Sequence, residues 1–314
     1  MRTVFAGSTP QAAECLEELC RTQQVRLVLT RPDARRGRGR KEAPNPVKEA
    51  ALRLGIECFD CKPSDPAFEA KIKEEGVECG AVVAYGRLIS PRLLSLLSKG
   101  WYNLHFSLLP YFRGSNPVAA CVLDRYAHCG VTVFRLTEGL DEGPWIARAP
   151  YRPASPLTAG ELTEDLAKIG KKALCEALKE VESGTAFPKA QESAAGLAYA
   201  GKISKEEARI DFSLGREEIF YRVLAFNPNP MAWAEAKVGE ERIYVKLNRL
   251  GLNAPELPSA PEGSVLSSSG KAFVRCADGW LELSEITPAS KKKMSGQVWL
   301  RGIRGGAEFL RPLP

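Results

Sequence analysis

Histidine is the scarcest chemistry-bearing residue here: the 314 residues contain two, His105 and His128. A zinc site draws most of its ligands from histidine and cysteine, so the supply for one is thin, and no metal is implied. The nine cysteines are odd in number and scattered. Cys58 and Cys61 have C-x-x-C spacing, but a tetrahedral site would need two further ligands beside them. The thiols are read as reduced, and this pair as small apolar fillers at a strand end. No apolar run approaches the roughly 18 residues that a membrane span needs. The first residues enter a strand-and-turn pattern and lack the long apolar stretch of a signal peptide, so the expected location is the cytosol. The first turn, Gly7-Ser8-Thr9-Pro10, is without the G-x-G-x-x-G fingerprint, which disfavours a dinucleotide site. No internal repeat recurs.

What is present describes an ordinary globular protein: 44% hydrophobic and 26% charged residues. The length implies about two domains. From residue 1 to about 185, strand-like runs alternate with helical ones. The strands are Thr3 to Ala6, Val25 to Thr30, Gly55 to Cys58, Cys79 to Tyr85, Trp101 to His105, Val131 to Leu136 and Pro144 to Arg152. Helices are expected after Pro10, from Asn45-Pro46, from Phe68, from Ser90-Pro91 and over Thr158 to Glu182. Cys79 to Tyr85 is an unbroken apolar run, which fits a parallel strand buried on both faces. This alternation predicts a doubly wound, Rossmann-like α/β domain over 1–185. A Gly/Ala/Ser/Lys-rich linker over 186–208 follows. After it come a helix at Glu217 to Phe226 and five short strands separated by Gly, Pro and Asn. They predict a small OB-like β-barrel over 209–314.

The net charge is +6, and it is concentrated. Between Arg31 and Lys48 stand seven basic residues against Asp33 and Glu42, a net +5. Between Ser284 and Pro314 stand six against Glu285 and Glu308, a net +4. Two basic patches far apart in sequence point to a polyanionic partner. The first has no hydrophobic period and interleaves Gly37 and Gly39 with arginine, as expected of an exposed loop. Guanidinium groups there would pair with phosphate in bidentate fashion.

The stretch from Trp101 to Trp145 carries the candidate chemistry. Side chains alternate along a strand, so Asn103 and His105 point the same way. Ser107 to Gly114 then breaks regular structure. Downstream, Gly139-Leu140-Asp141-Glu142-Gly143 is a tight turn holding an acid. An amide, an imidazole and a carboxylate are the parts needed to polarise a carbonyl and move a proton. His128 lies in a loop-like context and is read as a surface residue.

N-L-H-x-S-L-L-P-x-x-R-G at Asn103 to Gly114, G-V-T-V at Gly130 to Val133 and G-L-D-x-G at Gly139 to Gly143 resemble the catalytic core of the folate-dependent formyltransferases. The resemblance runs on through R-P-D at Arg31, G-R-G-R-K at Gly37, P-N-P-V-K at Pro44, V-V-A-Y-G at Val82, Y-A-x-K-I-S-K-E-E-A-R-I-D-F-S at Tyr199 and A-F-N-P-x-P-M-A-W at Ala225. These match the branch of the family that acts on initiator methionyl-tRNA. The resemblance implies 10-formyltetrahydrofolate as formyl donor and charged initiator tRNA as acceptor. It implies catalytic roles for Asn103, His105 and Asp141. The folate pocket would be lined by Val83, Ala84, Tyr85 and Gly86 and by Ser107, Leu108, Leu109 and Pro110. The tRNA would be met by Arg36, Arg38, Arg40 and Lys41 of the basic loop, and by Lys202, Lys205, Lys291 and Lys292. A monomer without a metal is the expectation.

In that scheme Asn103 donates to the developing oxyanion. His105 is a second donor or a proton carrier. Asp141 takes the amine proton or orients His105. The sequence does not choose among these roles. Two other functions share the core motifs: a formyltransferase or formyl-folate hydrolase for a small amine, and an RNA-binding protein that no longer catalyses. The first has no need of the basic loop. The second has no need of the intact Asn103, His105 and Asp141 set.

Overall fold

A computed structural model describes residues 1–36, 41–197, 199–303 and 305–312. The chain divides into two compact units. The first comprises Met1–Pro117, Ala127–Arg152 and Thr163–Gly201, and the second Val118–Tyr126, Pro153–Leu162 and Lys202–Pro314.

The strands of the first unit's main sheet are β1 (Arg2–Gly7), β2 (Gln24–Leu29), β5 (Glu57–Phe59), β6 (Cys79–Val83), β7 (Gly100–His105), β8 (Gly130–Arg135) and β9 (Trp145–Pro150). They run in the order β5-β2-β1-β6-β7-β8-β9. The first five are parallel, and β8 and β9 add antiparallel at one edge. Each early helix starts where a side chain can satisfy its first free amides. Thr9 caps α1 (Pro10–Leu19), Asn45 caps α2 (Pro46–Arg53), Asp65 caps α3 (Pro66–Glu74) and Ser90 caps α4 (Pro91–Leu96), and all four have proline in the first turn. Val4, Ala6, Leu27, Leu29, Val82 and Trp101 pack on Phe68, Ile72 and Leu93 of α3 and α4. The opposite face carries α1, and also α6 (Ala159–Ser183), where a methyl on Gly170 would sit 2.8 Å from Leu104 Cδ2. Helices thus cover both faces, as the alternating pattern predicts.

Arg31 to Pro44 departs from the expected irregular loop. Ala34–Arg36 (β3) and Lys41–Ala43 (β4) pair as an antiparallel ribbon. Its root is tied by Asn45, which is buried. Asn45 Oδ1 accepts from Thr30 and from the amides of Val47 and Lys48, while Nδ2 donates to Arg31 O at 2.7 Å. The helix α5 (Pro117–Leu123) fills the stretch that carried no expected element.

In the second unit, β10 (Trp233–Val238), β11 (Glu241–Gly251), β12 (Val265–Ser268), β13 (Lys271–Cys276), β14 (Gly279–Pro288) and β15 (Glu308–Phe309) form one antiparallel sheet, ordered β12-β13-β14-β11-β10-β15. Ser264, just before β12, bridges Glu308 of β15. That bridge returns the last strand to the first, so the sheet closes into the expected barrel and leaves no free edge there. The helix α7 (Arg216–Phe226) packs on β11 and β14, and α8 (Gly296–Arg301), which sequence reasoning missed, packs on β13 and β14. No helix among the described residues is long and apolar enough to cross a membrane.

Candidate active site

β1 lies between β2 and β6, so successive strands are laid down on opposite sides of it. In open α/β sheets the crevice at such a reversal, beyond the carboxyl ends of the strands, is where ligands bind. Gly7 and Val83, the last residues of β1 and β6, are paired there. Ser8 Oγ donates to Ala84 O at 3.0 Å and joins the two turns. Val83 and Tyr85 are buried, whereas Ala84 and Gly86 are exposed and have φ of 44° and 75°. Both positions hold the left-handed backbone, and the Ala84 carbonyl is taken by the Ser8 hydroxyl. Glycine meets the conformational demand at 86 without strain.

Asn103 and His105 lie on one face of β7, next to β6 and β8. Asn103 is half-buried, and among the described residues no hydrogen bond ends on its carboxamide. His105 is 5% exposed. Its Nε2 lies 2.9 Å from Phe112 O. A carbonyl only accepts, so Nε2 carries the proton of the neutral ring and Nδ1 presents its lone pair. Asp141 Oδ2 is 3.8 Å from that Nδ1 and accepts from Gly114 N at 2.8 Å. The residues stand thirty-six positions apart in sequence. They meet because the turn after β8, which leaves the sheet beside Trp101 and Tyr102, folds back along β7 and brings Asp141 to His105. Burial pushes the His105 pKa below its ordinary value, while the Asp141 carboxylate and Phe112 O pull it upward. The ring is therefore neutral near pH 7. Any proton arriving at Nδ1 falls within the field of a nearly buried carboxylate.

The Ser107 hydroxyl is committed within the loop: Oγ donates to Tyr111 O at 2.6 Å, and Ser107 O accepts from Thr132 Oγ1 at 2.7 Å. Leu109 N donates to the same Thr132 hydroxyl, and Leu109 O accepts from Arg148 Nη2. Leu109 and Pro110 are buried, and Leu108 is half-buried. The Leu109–Pro110 peptide is cis. His128 departs from its surface assignment: its ring stacks on Tyr111 at a centroid distance of 3.6 Å and is half-buried.

Three residues escaped sequence reasoning. Thr132 and Arg148 hold the 107–109 loop from strands β8 and β9. Gln191, in the expected linker, donates from Nε2 to Asp141 O and Gly143 O, both at 2.8 Å. The usable signal was weak. A lone polar residue in a segment without period carries no mark of its partner.

The basic candidates divide. Arg38 and Arg40 lie outside the described residues, as do the side chains of Arg36 and Lys41. Lys48 is consumed internally by Asp33 and Asp60, both at 2.9 Å, and those bonds push its pKa up to about 12. In the second unit, Lys202, Lys205, Lys291 and Lys292 are all exposed. Lys205 Nζ lies over the rings of Trp233 and Tyr244, which stack on each other at 4.8 Å. Lys293 is paired with Glu285 at 3.0 Å, whereas Lys291 and Lys292 make no ion pair among the described residues. No group of acidic, histidine or cysteine side chains among the described residues is arranged to hold a metal.

Residues 1–178 match the family described as formyl transferase, and residues 202–304 match its C-terminal domain. The methionyl-tRNA formyltransferase of Heliobacterium modesticaldum is 36% identical over 98% of this chain and 99% of its own length. That of Mycobacterium avium is 38% identical over 97% of each. The chain belongs to the methionyl-tRNA formyltransferase family. It is accordingly a transferase of a family that uses folate-derived formyl donors. Among solved structures, the N-formyltransferase of Helicobacter canadensis, in complex with folinic acid and dTDP-3-aminofucose, superposes with a TM-score of 0.65 at 16% identity over 93% of this chain and 99% of that one. HypX of Aquifex aeolicus superposes at 0.64 with 18% identity, covering 97% of this chain and about half of its own, 48%. At such identities these two establish the family's fold alone.

Proposed function

We propose that the protein transfers the formyl group of 10-formyltetrahydrofolate to the α-amino group of the methionine carried by initiator tRNA, in the cytosol. Membership of the family supports the reaction. The observation that carries the site is the 3.8 Å approach of His105 Nδ1 to Asp141 Oδ2 beside an Asn103 carboxamide with no partner of its own among the described residues.

The amine attacks as the neutral base, and a free α-amine has a pKa of roughly 8, so mild assistance suffices. As nitrogen bonds to the formyl carbon, negative charge develops on the formyl oxygen, and Asn103 donates to it. The attacking nitrogen then sheds a proton to Nδ1 of His105, directly or through water. Nε2 is already occupied with Phe112 O, and Asp141 stabilises the imidazolium. The bond to the folate nitrogen breaks, and that nitrogen takes the proton held on His105, which returns the ring to its neutral form. His105 is thus assigned the proton and Asp141 the field, an order that the sequence left open. The Ala84–Gly86 backbone and the 107–110 loop form the donor's pocket. The acceptor tRNA is met by Arg36, Arg38, Arg40 and Lys41 of the basic segment between Arg31 and Lys48, and by Lys202, Lys205, Lys291 and Lys292 of the second unit.

The test is incubation with the formyl donor and charged initiator tRNA, followed by detection of formylmethionine. Donor turnover without tRNA would replace the proposed acceptor with a small amine or water. Tight tRNA binding without turnover would remove the enzymatic assignment.

A further inference from the structure

We infer that Gln191 is a positioning residue for the reaction: one carboxamide braces together the two loops that set the His105–Asp141 pair. The inference rests on the roles proposed above for that pair. Residues after α6 join the edge of β9, where Trp145 and Lys189 exchange backbone hydrogen bonds of 2.9 and 2.8 Å. From there Gln191 reaches both loops. Its Nε2 donates to Asp141 O and Gly143 O, each at 2.8 Å. Its Oε1 accepts from Arg113 Nε at 3.2 Å and Nη2 at 2.7 Å. A primary amide offers two hydrogens and two lone pairs, and all four are used.

The residues that it joins are those that orient the pair. Arg113 is flanked by Phe112, whose carbonyl accepts the hydrogen bond of His105 Nε2, and by Gly114, whose amide donates to the Asp141 carboxylate. Asp141 has φ of 54°, a backbone state that an L-residue holds only when its surroundings impose it. Ala200 adds to the same brace, donating to Arg113 O at 2.8 Å and accepting from Asn116 N at 3.1 Å. The chemistry also selects glutamine. A carboxylate at 191 would keep Arg113 and lose both carbonyls, whereas an ammonium would do the reverse. The ionisable groups around the pair are few: Asp141 faces His105, Tyr199 faces Asp141, and Glu142 pairs with Arg113 at 3.4 Å beside the brace.

The experiment uses the full-length protein, its Gln191→Ala and Gln191→Glu variants, thermal melting, and steady-state formylation. It adds a ring-proton NMR titration of His105, assigned by comparison with His128→Gln, since the chain has two histidines. Displacement of a reacting group by about 1 Å costs on the order of 100-fold in rate. Gln191→Ala is expected to lower kcat by about 10- to 100-fold, with KM for both substrates within about threefold, and to shift the His105 midpoint. Gln191→Glu is expected to fall with it, because it too cannot donate to the Asp141 loop. It also carries the test if the alanine variant does not fold. A folded variant with wild-type kcat and an unmoved His105 midpoint would overturn the inference, as would a change confined to KM or melting temperature. If wild type itself forms no formylmethionine, the functional reading fails, and the His105 titration alone decides whether Gln191 holds the pair.

Discussion

Replacing Asp141 with asparagine tests the centre of the mechanism, because it removes one charge and little else. The side-chain oxygen that meets Gly114 N at 2.8 Å can still accept from it, so the turn is retained. What vanishes is the field at His105 Nδ1, 3.8 Å away. Two unit charges at that separation, in an effective dielectric of about 20, attract by ~4 kcal/mol. The term acts once the imidazolium forms and is nearly absent while the ring is neutral, so it belongs to the transition state. Converted to rate, it corresponds to about 1000-fold, with some loss to residual water at a carboxylate that is 7% exposed. Single-turnover formylation by Asp141→Asn should therefore be slower by about 100- to 1000-fold, with KM little changed. In an NMR titration the His105 midpoint should move further down, since Asp141 is one of the influences that raise it. A variant within about threefold of wild type, or a midpoint that moves upward, would refute the assignment of the proton to His105.

Asn103→Ala should lower kcat by about 100- to 1000-fold, the usual cost of one oxyanion donor, while filter binding shows tRNA retained. His105 has a pKa depressed by burial, so below about pH 6.5 the unfolded chain takes up a proton that the folded one refuses. Its contribution to stability is present above that pH and is lost as pH falls toward the folded-state pKa. Urea melts at pH 5 and pH 7 should show the loss, and His105→Gln should reduce it. Gly143→Ala would place a methyl 1.7 Å from Arg135 O, a backbone atom that cannot swing aside. A destabilisation of about 1–3 kcal/mol or more is expected in denaturant melts. Lys205→Ala should weaken tRNA binding and reduce the slope of log affinity against log salt by about 1, with donor binding unchanged.

Much of this protein could be read along the chain because the deciding forces are local. Asn45 and Ser90 announce helix starts through side chains that cap amides two or three residues away. The apolar run at Cys79 announces a strand buried on both faces. The order of motifs from Arg31 to Trp233 marks the family, since a succession in order is far more specific than any one short pattern. Irregular segments were less legible. The ribbon at Ala34–Arg36 and Lys41–Ala43 depends on backbone pairing that no side-chain period encodes. Lys48 stands in a basic run along the chain, but Asp33 and Asp60 hold it in the fold.

The sequence alone named the candidate groups, and it determined that Asn103 and His105 share a face, because strand geometry has a period of two whatever surrounds it. Tertiary structure decided everything that needs a distance. It placed Asp141 beside Nδ1 rather than Nε2, by giving Nε2 the carbonyl of Phe112. It also turned a residue of the supposed linker into a brace for the site. Such contacts join positions 27 to 78 residues apart. Their energy comes from the closed fold, so no local pattern in the chain records them.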